Sequence, residues 1–180
     1  RYEKAAATAA KYHMLVDFHG ASKPAGLQRT YPNVVNYEGV FGLENMKWAD
    51  ENTDMVTHDV SLPFIRNAVG PMDYTQGAMR NAGRTSYHPD YYEPMSQGTR
   101  VRQLAEYTVF FAPFTMLCDS PSNYIRESEC VEFIASVPTV WDQTIALGGK
   151  IGDYVAIARG SGEEWYVGAL TDWEPRTIDL

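Results

Sequence analysis

The sequence is short of most features that would assign a chain at sight. No apolar run approaches the roughly 20 residues that a membrane-spanning helix needs. There are two cysteines, Cys118 and Cys130, too few for a disulfide framework and wrongly spaced for a zinc site. They leave two readings open, a pair of small half-buried side chains or one disulfide. Of the four histidines, His13, His58 and His88 fall into no ligand spacing. Positive charge is scarce: 15 Lys and Arg stand against 23 Asp and Glu, a net charge of −8, with no basic run. Phosphate backbones demand clustered Lys and Arg, so nucleic acid is excluded as a partner. No GxSxG elbow, P-loop or dinucleotide fingerprint occurs, and Gly39-Val40-Phe41-Gly42 lacks the strand and glycines such a loop needs. Internal repeats and low-complexity segments are absent too.

What is present suits a folded domain. The 180 residues are 44% hydrophobic and 21% charged, enough for one domain with a real core. The 12 Tyr and 4 Trp serve either as core or as flat faces that stack on sugars. The first residue is Arg1, within an Ala-rich helical pattern (residues 1–12) that has no N-cap, and the last follows a strand-like run. These ends predict a piece of a longer protein.

Periodicity gives a coarse map. A helix over 1–12 leads to a strand at 13–18 and then a long polar loop. A short helical pattern covers Val40 to Trp48, residues 49–61 read as loop, and Leu62 to Val69 as a short helical run. Gly70-Pro71 breaks it, and 76–98 is a second long loop, a kind that in compact domains lies over a site. Helical spacing returns over Thr99 to Phe111, with Val101, Leu104, Ala105 and Val109 on one face. Phe114 to Leu117 reads as a short buried strand, and 122–147 as irregular to helical. At Gly148-Gly149 the period changes. Asp153 to Arg159 and Trp165 to Leu170 alternate around a Gly160-Ser161-Gly162 turn, and Thr177 to Leu180 reads as a third strand, giving an antiparallel meander. The predicted boundary is near 148.

The chemistry concentrates in Val16 to Trp48, which holds Asp17, His19, Lys23, Arg29, Glu38 and Glu44 around four glycines and two prolines. A strand feeding a long polar loop is how α/β enzymes present reactive groups. Glu38 and Glu44 could form a calcium site, since hard cations collect oxygen ligands. One of them could instead be a catalytic acid, or both could be solvated surface groups. His19 either reaches a substrate hydroxyl or closes the strand end. Asp17, two residues earlier, points to the same side of the strand. Lys23 and Arg29 are donors to a sugar or partners of the carboxylates.

Taken whole, HGASKPAGLQRTYPNVVNYEGVFGLE resembles glycoside hydrolase family 97, enzymes that act on α-linked glucosides and galactosides with retention or inversion. LPFIRNAVGPMDYTQGAM, MLCDSPSNY, FIASVPTVWDQT and GKIGDYVAIARGSGEEWYVGALTDWEPRT are similar to that family in the same order. The resemblance implies an N-terminal β-sandwich, a central (β/α)8 barrel and a C-terminal β-domain. This chain is then α/β over residues 1–147, the later units of the barrel, with residues 148–180 opening the antiparallel C-terminal domain. The earlier barrel strands and the N-terminal β-sandwich become its covalent partners.

By the same resemblance, Glu44 matches the proton-donating glutamate, Glu38 and Glu44 match calcium contacts, and His19 matches a histidine that touches the sugar at the cleavage point. Inverting members carry a glutamate directly after that histidine, and here Gly20 stands there. The departure resembles the retaining branch, whose aspartate nucleophile lies upstream of Arg1; Asp17 does not match it. The expected function is therefore calcium-assisted hydrolysis of terminal α-galactosidic bonds with retention, with small α-glycosides or oligosaccharides as substrates and a periplasmic or secreted location. Alternatives are an α-glucosidase of the same family and a non-catalytic sugar-binding fragment.

Overall fold

In the computed structural model, which describes residues 1–179, helix α1 (Tyr2–Lys11) lies beside a parallel strand pair, β1 (Val16–Phe18) and β2 (Val34–Tyr37). Ala6 is the fully buried residue of the helix, and it packs with Val34, Tyr37 and Phe18 into a small core. The ring of Tyr2 meets Phe18 edge-on at 4.8 Å. Parallel strands need a crossover, and residues 19–33, including the single helical turn α2 (Leu27–Thr30), supply it.

Backbone hydrogen bonding extends past β2 without regular strands. The Asp73 amide donates to the Tyr37 carbonyl at 2.8 Å, and the Met72 amide to the Phe111 carbonyl at 3.0 Å. The segment around Met72 and Asp73 therefore runs between β2 and the chain at Phe111. Helix α3 (Met55–Ile65) begins at Asp54, whose carboxylate accepts from the Thr57 amide at 3.0 Å, an ordinary N-cap. It starts seven residues earlier than the helical run predicted from Leu62. The helix expected over Thr99 to Phe111 is α4 (Arg100–Val109), capped by Thr99, whose hydroxyl accepts from the Arg102 amide. Between them the loop at 76–98 is pinned by a two-residue parallel pair, β3 (Asn81–Ala82) and β4 (Ser96–Gln97). Helices α5 (Pro121–Arg126) and α6 (Ser128–Ser136) follow. The main core gathers Met46, Met55, Val60, Met72, Tyr74, Val109 and Phe110.

The chain ends in an antiparallel meander, β5 (Gln143–Lys150), β6 (Tyr154–Ser161) and β7 (Glu164–Thr171). Three strands are present as expected, but the first is β5 rather than Thr177 to Leu180. Residues 177–179 carry no regular element, and Leu180 lies outside the described residues. Gly148-Gly149 thus sits inside a strand, beside a register shift between Ala146 and Gly148. A Cβ at Gly149 would come within 2.6 Å of the Phe64 ring, so this glycine marks close packing on α3, not a break. Phe114 to Leu117 forms no strand, and Phe114, Met116 and Leu117 are exposed.

Buried arginines fasten this sheet to the helices. Arg159 of β6 donates to the carbonyls of Thr108 (2.6 Å) and Val109 (3.1 Å), where α4 leaves acceptors unpaired and its dipole is negative. Arg102 of α4 donates to the Thr171 carbonyl on β7 (2.8 Å) and to the Val56 carbonyl on α3 (2.7 Å).

Candidate active site

Because β1 and β2 run in the same direction, the residues following them share one edge. His19 follows Phe18, Glu38 follows Tyr37, and Asp73 stands on the neighbouring segment. The His19 ring bridges two carboxylates, with Nδ1 3.4 Å from Glu38 Oε2 and Nε2 3.3 Å from Asp73 Oδ2. Both contacts are longer than a good N–H···O bond of about 2.9 Å. Glu44 comes from a short 3-10 turn, Leu43–Lys47, whose buried Leu43 and Met46 anchor it in the core. One ligand atom each from His19, Glu38 and Glu44 lies within 4.8 Å of the others. The three residues singled out in the sequence therefore converge.

Two glycines make the convergence possible. Gly20, at φ +59°, turns its amide onto Glu38 Oε2. Gly39, at φ +40°, lies so close to the crossover loop that a Cβ would come 2.5 Å from the Lys23 nitrogen. The Glu38 carboxylate and backbone are thus fixed from both sides. Lys23 and Arg29 are exposed and pair with no carboxylate among the described residues.

Asp17 lies behind the site, with neither oxygen hydrogen-bonded. Burial first, and then the adjacent Asp73 carboxyl, push it up to about 7. Asp73 is fully buried, and one of its oxygens lacks a hydrogen-bond partner. Sequence reasoning did not single out Asp73. It belongs to an aperiodic Met-Asp-Tyr-Thr run, and only the path of the chain beside β2 brings it to His19. Arg66 carries no sequence signal either. It is 5% exposed and holds the carbonyls of both Glu38 and Gly39.

Glu44 also lines a cavity of about 150 Å³, walled by Leu43 and Met95 with Glu44, Lys47, Thr75 and Asp119 as its polar groups. Thr75 holds φ +63°, an outlier for a β-branched residue of the sort that collects at functional sites. Cys118, which also lines the cavity, is a free thiol pushed up by burial, and Cys130 is free as well.

Two family models bracket the chain. One described as "Glycoside hydrolase 97" matches residues 1–40, and one described as "Glycosyl-hydrolase 97 C-terminal, oligomerisation" matches residues 140–180. A protein named "Retaining alpha-galactosidase" from Bacteroides thetaiotaomicron is 60% identical over 177 residues, 98% of this chain. The chain belongs to glycoside hydrolase family 97. A "Probable retaining alpha-galactosidase" from Streptomyces bingchenggensis is 32% identical over 99% of the chain. A family 97 enzyme from Pseudoalteromonas sp. strain K8, solved in complex with panose, superposes with a TM-score of 0.84 at 34% identity over 97% of the chain. The chain spans about a quarter of these relatives, 27% of the Bacteroides and Pseudoalteromonas proteins and 26% of the Streptomyces one.

The donors of this family 97 chain fit a hard dication. Calcium binds oxygen at about 2.4 Å, so two ligand atoms on one ion lie at most about 4.8 Å apart. Glu38 and Glu44 meet that limit. Two carboxylates provide up to four of the six to eight oxygens calcium takes; His19 nitrogen is a poor ligand for it.

Proposed function

We propose that the polypeptide carrying this segment hydrolyses terminal α-galactosidic bonds with retention of configuration, and that Glu44 is its acid and base. The observation that carries this reading is the meeting of Glu44, Glu38 and His19 at the carboxyl edge of parallel strands, within a segment 60% identical to a retaining α-galactosidase. The same edge is where (β/α)8 barrels keep their active sites. We therefore read residues 1–147 as the later units of such a barrel and residues 148–180, with β5 reaching back to Gln143, as the start of the C-terminal domain. A periplasmic or secreted location belongs to the same reading.

In the first step Glu44 gives its proton to the leaving oxygen while an aspartate on an earlier strand, upstream of Arg1, attacks the anomeric carbon. In the second, Glu44 takes a proton from the water that releases the sugar. Glu38 and Glu44 would hold calcium, which supplies charge to polarise sugar hydroxyls. His19 exchanges one of its long carboxylate contacts for a sugar hydroxyl and keeps the other, so its ring plane stays set. Gly20 offers no carboxylate to activate a water for direct attack, which favours retention. The panose complex of the 34% identical neighbour supports an α-glucoside as the second reading; the higher identity to the α-galactosidase supports galactose as the first.

NMR during turnover of an α-galactoside by the full-length protein should show the α-anomer first. A β-configured first product would overturn retention. Glu44→Gln should slow substrates with poor leaving groups by 100-fold or more, on the order of what general acid catalysis contributes, and activated ones far less. Azide should rescue Glu44→Ala and yield an α-galactosyl azide. Equal slowing of both substrate types, without azide product, removes Glu44 from the role.

A further inference from the structure

Tyr74 is fully buried, yet its backbone joins two parts of the site. The residue before it is Asp73, whose carboxylate meets His19 Nε2. Its own carbonyl accepts from the Leu43 amide at 3.0 Å, at the first residue of the turn that carries Glu44. The same oxygen accepts from the Thr75 hydroxyl at 2.6 Å. A Cβ on Gly42 would come 3.0 Å from that oxygen, so glycine lets the turn approach it closely. The Tyr74 ring reaches into the core. It packs on Phe110 with centroids 4.9 Å apart, and its hydroxyl donates to Asp59 of α3 at 2.5 Å. Beyond Asp59 stands Arg102 of α4, 3.5 Å from that carboxylate and 3.5 Å from the carboxylate of Glu106.

We infer that Tyr74 is a positioning residue for Glu44, in that the bond from its hydroxyl to Asp59 fixes the ring and the fixed backbone holds the turn that carries the acid; the inference rests on Glu44 being the acid. Three observations lead there. The first is that these buried polar groups are a poor source of stability. Two buried carboxylates share one guanidinium, and neither oxygen of Glu106 has a hydrogen-bond partner among the described residues. Burial, and then the Asp59 carboxylate, push the Glu106 acid well above the ordinary range. A phenylalanine would fill the space of the Tyr74 ring with no polar atom to satisfy. What the hydroxyl adds is a fixed point, because it ties the ring to one atom of α3. Next, Thr75 is strained at φ +63°, and a β-branched residue keeps such a conformation only where its surroundings over-determine it. Tyr74 is held at both ends beside it, by Asp59 at the hydroxyl and by Leu43 and Thr75 at the carbonyl. Finally, the path to the acid is short. One backbone hydrogen bond links Tyr74 to Leu43, and Glu44 is the next residue. A general acid works only within hydrogen-bond reach of the leaving oxygen, and a displacement of about 1 Å can cost about 100-fold. All of these groups in the core are buried by the chain's own residues.

The test compares kcat/KM in the full-length enzyme for methyl α-galactoside, a poor leaving group, with that for α-galactosyl fluoride, whose fluoride departs with little protonation. Tyr74→Phe should lower the ratio of the methyl galactoside to the fluoride about tenfold, with the fluoride itself within about threefold of wild type. A merely structural role would reduce the folded fraction and slow both substrates alike. Gly42→Ala acts at the other end of the path, pressing on the Tyr74 carbonyl while the core bond stays intact, and should lower the ratio in the same direction. It also decides the matter if loss of the hydroxyl unfolds the protein. An unchanged ratio in either folded variant overturns the inference, and so does an equal fall for both substrates. Glu44→Gln, measured beside them, separates the two readings. If it slows both substrates equally, Glu44 is not the acid and the positioning role falls with it. If it lowers the ratio and the other two variants do not, the acid stands and the positioning role is overturned. Should the wild type leave galactosyl fluoride intact, the ratio is read on the corresponding α-glucosyl pair, with the same outcomes deciding.

Discussion

Arg66 should matter to the site more than any residue that does not face it. It follows α3, is 5% exposed, and has no carboxylate partner among the described residues. Instead its guanidinium donates to five carbonyls: Nε to Gly39 (3.0 Å), Nη1 to Gly70 (3.2 Å), and Nη2 to Tyr37 (3.2 Å), Glu38 (3.1 Å) and Pro71 (3.0 Å). Burial draws it down only to about 10, so it stays charged at neutral pH. Each charge-assisted bond is worth about 1.5–3 kcal/mol, but one nitrogen serves three acceptors here, so the bonds do not add. Removing the guanidinium leaves those carbonyls in a pocket that water enters only in part. The expected loss for Arg66→Ala is therefore about 3–5 kcal/mol, the range for breaking a buried charged network. Arg66→Lys should lose about 2 kcal/mol, because three donors on one point cannot reach carbonyls spread around a planar fork. Urea unfolding of the full-length protein measures both. The network also fixes the backbone of Glu38 and Gly39, so the lysine variant, still folded, should bind calcium at least tenfold more weakly by calorimetry. An Arg66→Ala variant within about 0.5 kcal/mol of wild type would refute the reasoning, and full calcium affinity in the lysine variant would refute the link to Glu38.

Calcium itself is the next test. Chelated full-length protein should regain a higher melting temperature on adding calcium, and Glu38→Gln should weaken that binding at least tenfold; absence of any calcium heat or thermal shift would remove the ion from the site. Asp17 gives a pH dependence. Its acid rises from 3.8 to about 7, so between those values the folded state holds more protons than the unfolded one and stability falls as pH rises, levelling off above about 7. A shift of that size corresponds to about 4 kcal/mol, and half-solvated surroundings reduce it to about 2 kcal/mol. In chelated enzyme, Asp17→Asn should unfold at a higher temperature than wild type at pH 8 and show no gain at pH 4. Parallel pH profiles for the two proteins would count against the buried acid.

How far the sequence disclosed this site depends on where each residue's partners lie. His19, Glu38 and Glu44 stand at the ends of short strands or just beyond, in runs whose order and wording resemble a family, and the structure brings all three together. Asp73 and Arg66 are hidden because the contacts that tie them to the site, Arg66 to the Gly39 carbonyl and Asp73 to His19, join residues far apart in the chain, and no periodicity marks such contacts. Helix α3 was read late for another reason. Charged Asp59 sits on the buried face with Met55, Val56, Val60 and Leu62, while Phe64 and Ile65 at the far end are exposed, so the apolar stripe is blurred, and Pro63 interrupts the pattern. The first meander strand is obscured because Gly148-Gly149 looks like a boundary, whereas Gly149 accommodates the Phe64 ring. Phe114 to Leu117 shows the converse error. Apolar residues in a row do not make a strand by themselves, and among the described residues no backbone group pairs with this run.

Gly20 draws these threads together. A Cβ there would meet nothing within 4 Å, so space alone does not exclude a larger residue. The backbone disfavours one, because at φ +59° a non-glycine residue costs on the order of 1 kcal/mol or more. That conformation is the one that aims the Gly20 amide at Glu38 Oε2. A glutamate at this position would add a carboxylate near Glu38, Glu44 and Asp73, raising repulsion among them, and would strain the turn that supplies the amide. Under the proposed retention the site needs no base at position 20, since Glu44 takes the water proton in the second step. Glycine then does something a glutamate could not do as easily: it donates a hydrogen bond that holds the Glu38 carboxylate toward Glu44, in the geometry a shared cation requires.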